Sequence, residues 1–283
     1  MVILHGGWGY EIYPFDRQID ALAAHHRLVI PDRSGYGQSG AIQTLPTDFH
    51  RRAMEETRAF IDALDLAQPI LWGHSDGAII ALLLGLAAPE RIAGAIVEAT
   101  HYFRYKPGSR AFFEGIIGSP PSLGGGVAAV MLRDHGERWP AIVDMHSRTW
   151  LRISEEAASP ADDFYAGRLP DLRMPVLVVH GAKDPRTEPG ELDALRAALD
   201  RRAEAPRHTV VVWSDGGHSP HSERATADEV TRVTQDFIAT VTSHASGVAQ
   251  GSSDVAPPPS REARFGEPRR SESAGGGFSP PKP

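Results

Sequence analysis

The sequence predicts an α/β fold: a doubly wound, mostly parallel sheet with a helical cap insertion. Three observations support this. Short apolar runs alternate with amphipathic stretches along most of the 283 residues, the pattern that builds a parallel sheet with helices on both faces. The runs are short and β-branched, as strands buried on both faces require. The alternation breaks once, between about 101 and 172.

VILH (2–5) reads as the first strand, 15–25 as a helix and Leu28-Val29-Ile30 as a second strand. Over 47–65, Phe49, Ala53, Phe60, Ile61 and Leu64 recur at helical spacing, and Thr47 stands where an N-cap belongs. PILWG (69–73) is the next strand, 76–88 an apolar helix and RIAGAIVEA (91–99) a further strand. PVLVVHG (175–181) and HTVVVW (208–213) follow as strands, with helices over 189–202 and 224–242. The interrupted stretch is rich in aromatics, including Phe112, Phe113, Trp139 and Trp150, and holds a glycine triplet at 124–126. Structureless loops of that length are rare in compact domains, so residues 101–172 are expected to form the cap and 1–100 with 173–243 the core. From 244 to 283 Ser, Gly, Pro and Arg dominate. Such a composition cannot bury enough apolar surface to fold, and a disordered tail is expected.

Composition narrows the function. A formal charge of -7, from 29 basic and 36 acidic residues, gives no footprint for nucleic acid or for an anionic membrane. Absence of cysteine excludes a thiolate nucleophile, disulfides and cysteine-ligated zinc. The longest apolar stretch, 78–88, is too short to span a bilayer. MVILHGGWGY at the start lacks the basic n-region of a signal peptide. A cytoplasmic protein acting on a small molecule is expected; no sequence signal sets its oligomeric state.

GHSDG (73–77) falls between a strand and an apolar helix. G-x-S-x-G in that setting is a nucleophile elbow, a tight turn that exposes Ser75 at the end of the sheet. A serine hydroxyl needs a base. His218 in SDGGHSPH follows the last strand, with His221 as the alternative. The base needs an orienting carboxylate: Asp184 in HGAKDP, with Glu98 as its rival and Asp215 too near His218 in sequence. Charge on an attacked carbonyl needs donors. Backbone N–H groups of Gly7, in HGG after the first strand, and of Asp76 are the candidates, and Trp8 is a candidate for the pocket wall. The Asp76 side chain is a further candidate, for attracting a cationic amine on the substrate.

HGG, GHSDG, Asp184 and His218, each just after a strand, resemble the α/β-hydrolase fold over residues 1 to about 242. DRSGYGQSG (32–40) is similar to that family's D-x-x-G-x-G-x-S loop and is read as structural. Within the family, GHSDG and DRSGYGQS are similar to a capped esterase/amidase branch that includes valacyclovir hydrolase-like proteins. The resemblance implies a serine hydrolase for an acyl substrate, acting through an acyl-enzyme on an ester or amide, with no metal or organic cofactor. A carbon–carbon hydrolase with the same triad, or a sensor with negligible turnover, are the alternatives. Relatives carry two strands ahead of the HGG strand that are missing here, which would leave the strand near 28–30 as an exposed edge and lower solubility relative to a chain extended upstream.

Overall fold

The computed structural model describes residues 1–202 and 208–251. Five parallel strands form one sheet: β1 (Val2–Leu4), β2 (Ile70–His74), β3 (Gly94–Glu98), β4 (Val176–Gly181) and β5 (His208–Trp213), in the order β1-β2-β3-β4-β5. Alternate residues along each strand supply the two faces. On one face Ile3, Trp72, Ile96 and Val179 meet α1 (Asp16–Leu22) and α8 (Ala227–Gly251). On the other, Leu4, Leu71, Val97 and Val178 meet α2 (Phe49–Ala63), α3 (Asp76–Ala87) and α7 (Glu191–Asp200). The helix α3 is buried continuously from Asp76 to Gly85, because the sheet covers one side and α2 the other. That explains why its sequence is apolar on every face.

The expected strand at 28–30 is reduced to one residue. Val29 pairs with Val2, taking the Ile3 N–H at 2.9 Å and giving its own to Met1 O at 3.0 Å. The next donor on that side of a parallel ladder would be residue 31, a proline without an N–H. No described strand pairs outside it. The chain therefore leaves β1 toward residue 29 on one side and returns through α2 to β2 on the other. The carboxyl ends of β1 and β2 flank a topological switch point, where open α/β sheets hold their ligands.

Two local expectations need correction. Thr47 does not cap α2: the helix starts at Phe49, and Asp48 at the N-cap makes no capping bond, its carboxylate being taken by Arg52 at 2.9 Å. The helix α8 runs to Gly251, past the expected start of the tail at 244. The rest of that tail lies outside the described residues.

Between β3 and β4 stand α4 (Pro107–Ile116), α5 (Gly125–His135) and α6 (Trp139–Glu155). They are tied to the loops beyond β1 and before α2. His135 Nε2 donates to Trp8 O at 2.7 Å, Thr149 Oγ1 to Leu45 O at 2.8 Å and Arg152 to Leu45 O at 2.6 Å. These bonds hold the inserted helices over the carboxyl ends of the strands.

Ile80→Ala, at a fully buried position of α3, is expected to cost about 3 kcal/mol. Leu132→Ala, at a position 45% exposed on α5, should stay within about 0.5 kcal/mol of the parent. Urea denaturation of the two variants checks this.

Candidate active site

The turn at Ser75 depends on its two glycines. A Cβ on Gly73 would lie 2.2 Å from Gly77 O, and one on Gly77 2.0 Å from Leu4 O. Only hydrogen fits at either place, so the first turn of α3 can press against both β2 and β1. Ser75 takes φ 54° and ψ -116°, a strained conformation for a residue with a Cβ. The register of β2 on β3 sets His74 beside Glu98, and the Ser75 N–H donates to Glu98 O at 2.9 Å.

The same device brings the distant loops together. A Cβ on Gly181 would stand 2.1 Å from Gly217 O, and the Lys183 N–H donates to Gly216 O at 2.9 Å. His218 Nδ1 consequently lies 2.9 and 3.0 Å from the two carboxylate oxygens of Asp184. Burial works to raise the Asp184 pKa. The His218 ring and the Arg186 N–H, which donates at 2.8 Å, outweigh it and hold the carboxyl below its usual range. An ionised Asp184 can only accept, so Nδ1 donates and Nε2 is the lone-pair nitrogen of the neutral ring.

Ser75 and His218 line one cavity of about 510 Å³, counting its open mouth, together with Gly7 and Trp8. Ser75 Oγ has no hydrogen-bond partner among the described residues. His74 fastens the base's loop to the elbow: its Nε2 lies 3.0 Å from His218 O and 2.9 Å from Ser219 Oγ. Burial pushes the His74 pKa down to about 3, so its ring is neutral.

The alternative base and the rival acid have found each other. The Glu98 carboxylate accepts the His221 N–H and Nδ1–H, both at 2.9 Å, and Trp72 Nε1–H at 3.3 Å. Tyr13 O faces His221 Nε2 at 3.0 Å. Both ring nitrogens thus meet oxygen atoms, which fixes the ring in place. Neither residue is accessible to solvent, and neither lines the cavity. Asp215 sits exposed in an ion pair with Lys183 at 2.7 Å.

The Asp76 side chain does not face the cavity. It is fully buried, with His50 Nε2 at 3.0 Å, His146 Nε2 at 2.9 Å and Arg33 at 3.6 Å. Burial works to raise its pKa, and the two histidines more than offset it, holding the carboxyl well below its usual range. An amine-binding role for this carboxylate is therefore overturned: its oxygens are already taken. Its backbone N–H, the first of α3, has no intrahelical acceptor. Gly7 must be glycine because the His146 ring would lie 2.4 Å from a Cβ there. Arg33 of the 32–40 loop donates to Gly6 O at 2.6 Å, which ties that loop to the HGG turn.

Sequence reasoning missed Tyr13, His101, Lys106, His146 and Arg186, all of which line the cavity. For His101 and Arg186 the signal was available, since both follow a strand's carboxyl end. Among the described residues no group of side chains could hold a metal ion, and no helix is long and apolar enough to cross a membrane.

Residues 1–232 match the model of the alpha/beta hydrolase family. The serine hydrolase BPHL of Mus musculus is 26% identical over 84% of this chain and 78% of its own length. The pimeloyl-[acyl-carrier protein] methyl ester esterase of Yersinia enterocolitica is 33% identical, but over only 35% of this chain and 36% of its own. A thermophilic esterase from Thermogutta terrifontis has the same fold, with a TM-score of 0.62 at 19% identity over 85% of this chain and 89% of that one.

Glu98→Gln is expected to lower stability by about 3 kcal/mol at pH 7, because it leaves His221 with a weaker partner. Burial works to raise the Glu98 pKa, but the His221 bonds lower it overall. Its contribution is therefore full above the unfolded value and is lost as pH falls below about 4. Urea midpoints of parent and variant should differ most at pH 7 and converge below that value.

Proposed function

The chain belongs to the alpha/beta hydrolase family, and on that premise we propose that it is a serine hydrolase cleaving a carboxylic ester or amide through an acyl-enzyme on Ser75. The observation that carries this is the Asp184–His218 hydrogen bond at Nδ1, opening on the same cavity as a serine held at positive φ. The aromatic-rich α4–α6 segment acts as a cap over that cavity.

His218 Nε2 takes the Ser75 proton as Oγ attacks the acyl carbonyl. Catalytic hydrogen bonds are often long before substrate arrives and tighten on its binding, which accommodates the unpartnered Ser75 Oγ. The Gly7 and Asp76 N–H groups receive the oxyanion, each worth about 3 kcal/mol of transition-state stabilisation. His218 passes its proton to the leaving alcohol or amine, and the acyl group stays on Ser75. The same ring then deprotonates a water, whose attack releases the acid and returns the proton to Ser75. Asp184 holds the ring's tautomer and balances its positive charge. Trp8 and Phe112, stacked with centroids 5.9 Å apart, give the cavity an apolar wall suited to an acyl chain or an aryl leaving group.

Ser75→Ala should abolish both turnover of p-nitrophenyl esters and labelling by a fluorophosphonate probe, with an unchanged melting temperature. Labelling that survives the substitution would remove Ser75 from its role. Asp184→Asn should fold and lose about 10⁴-fold in kcat.

A further inference from the structure

One charged group in the cavity has no use in that cycle. The Arg186 guanidinium lines the wall opposite no carboxylate. It makes no hydrogen bond and no ion pair among the described residues, and its carbon lies 3.2 Å from the centre of the Phe112 ring. The acids of its own loop and the adjoining helix are all engaged elsewhere. Asp184 takes His218 and the Arg186 backbone N–H. Glu188 takes the Gly108 N–H at 3.0 and 3.2 Å. Glu191 takes the Lys106 ammonium and the N–H groups of Tyr102, Phe103 and Glu188. The wall's other cation, Lys106, is thereby neutralised, while Arg186 is not. The guanidinium is partly withdrawn from water with no anion paired to it, which costs free energy that stacking on a phenyl face offsets only in part. Burial lowers its pKa to about 10, which leaves it charged at neutral pH. Tyr13 and Ser109 line the same cavity, and their hydroxyls also lack partners among the described residues. A cation and two free hydroxyl donors lining one cavity have the chemistry of a carboxylate seat.

We propose that Arg186 is the specificity-determining residue of this cavity and that it selects esters carrying a second, free carboxylate. The inference rests on the serine-hydrolase reading above and specifies its substrate class. The substrate carboxylate accepts from the guanidinium while the ester carbonyl meets Ser75. Phe112 fixes the plane of the guanidinium and with it the direction of the bound chain.

The test compares matched substrates in one protein. Mono-p-nitrophenyl glutarate and adipate are set against p-nitrophenyl pentanoate and hexanoate. On the leaving-group side, 4-carboxyphenyl pentanoate is set against phenyl pentanoate. The wild-type protein should favour the anionic member of at least one series in kcat/KM. Arg186→Met should cut that anionic-to-neutral ratio by about tenfold or more, as loss of a charge-assisted bidentate pair implies, and Arg186→Lys should recover part of it. A ratio that is the same in wild type and Arg186→Met, in both series, overturns the proposal. If Arg186→Met fails to fold, inhibition of neutral-ester turnover in the wild type decides. Glutarate should compete, and glutaramide should not; equal effects of the two overturn it. Neutral esters turned over in a Ser75-dependent way with no Arg186 effect sink this inference alone. No turnover of any ester sinks the serine-hydrolase reading with it.

Discussion

At the centre of the molecule, the first turn of α3 rests directly on the end of β1. The Cβ that Gly77 lacks would stand 2.0 Å from Leu4 O, so any side chain there would drive helix and strand apart. The contact does two things at once. It places Ser75 at the mouth of the switch point, and it aims the helix N-terminus, with its free N–H groups, at the same spot. Gly73 and Gly181 repeat the device at β2 and β4, with backbone oxygens 2.2 and 2.1 Å from where a Cβ would be. The site is assembled by backbones that approach more closely than side chains allow. The strain at Ser75 is carried by a helix buried along most of its length.

Glu98 converts that packing into a rigid frame. Its backbone oxygen holds the Ser75 N–H, and its side chain holds the loop three residues past His218. Nucleophile turn and base loop are thus fastened to one residue of β3. The Asp184–His218 and Glu98–His221 pairs both lie within this frame, and access separates them. His218 reaches the cavity, whereas His221 is sealed beneath Phe15, ring on ring at 3.8 Å. On the proposed mechanism the first pair trades a proton with the substrate, while the second holds a loop in place.

This difference also marks what the sequence makes legible. The five strands, the elbow and the order of HGG, GHSDG, Asp184 and His218 can be read because each signal is local: an apolar run, a glycine pair, a residue just past a strand. The sequence favours His218 over His221 because it follows the turn directly, and packing adds that His221 is buried. The Asp76 side chain misleads for a related reason. Its direction is set by His50 and His146, 26 and 70 residues away, and no spacing rule connects them. The position of Arg186 after a strand can be read from the sequence, but that it is unpaired shows only in the commitment of the nearby acids to other donors.

The histidines packed around the centre raise a last question of charge. Several imidazoles near a catalytic one would oppose the positive charge it gains in the transition state if they were themselves protonated. Burial opposes this at His74, His5, His101 and His50. It drives His74 and His5 down to about 3 and lowers His101 and His50 as well. The His101 ring stacks near His218, with centroids 6.0 Å apart, and meets it as a neutral dipole. On the proposed mechanism the positive charge formed on His218 answers mainly to Asp184, at hydrogen-bond distance and buried. In so desolvated a setting a fixed carboxylate is far more effective than it would be at the surface. Burial of the surrounding imidazoles therefore supports the proposed role of a single Asp–His pair.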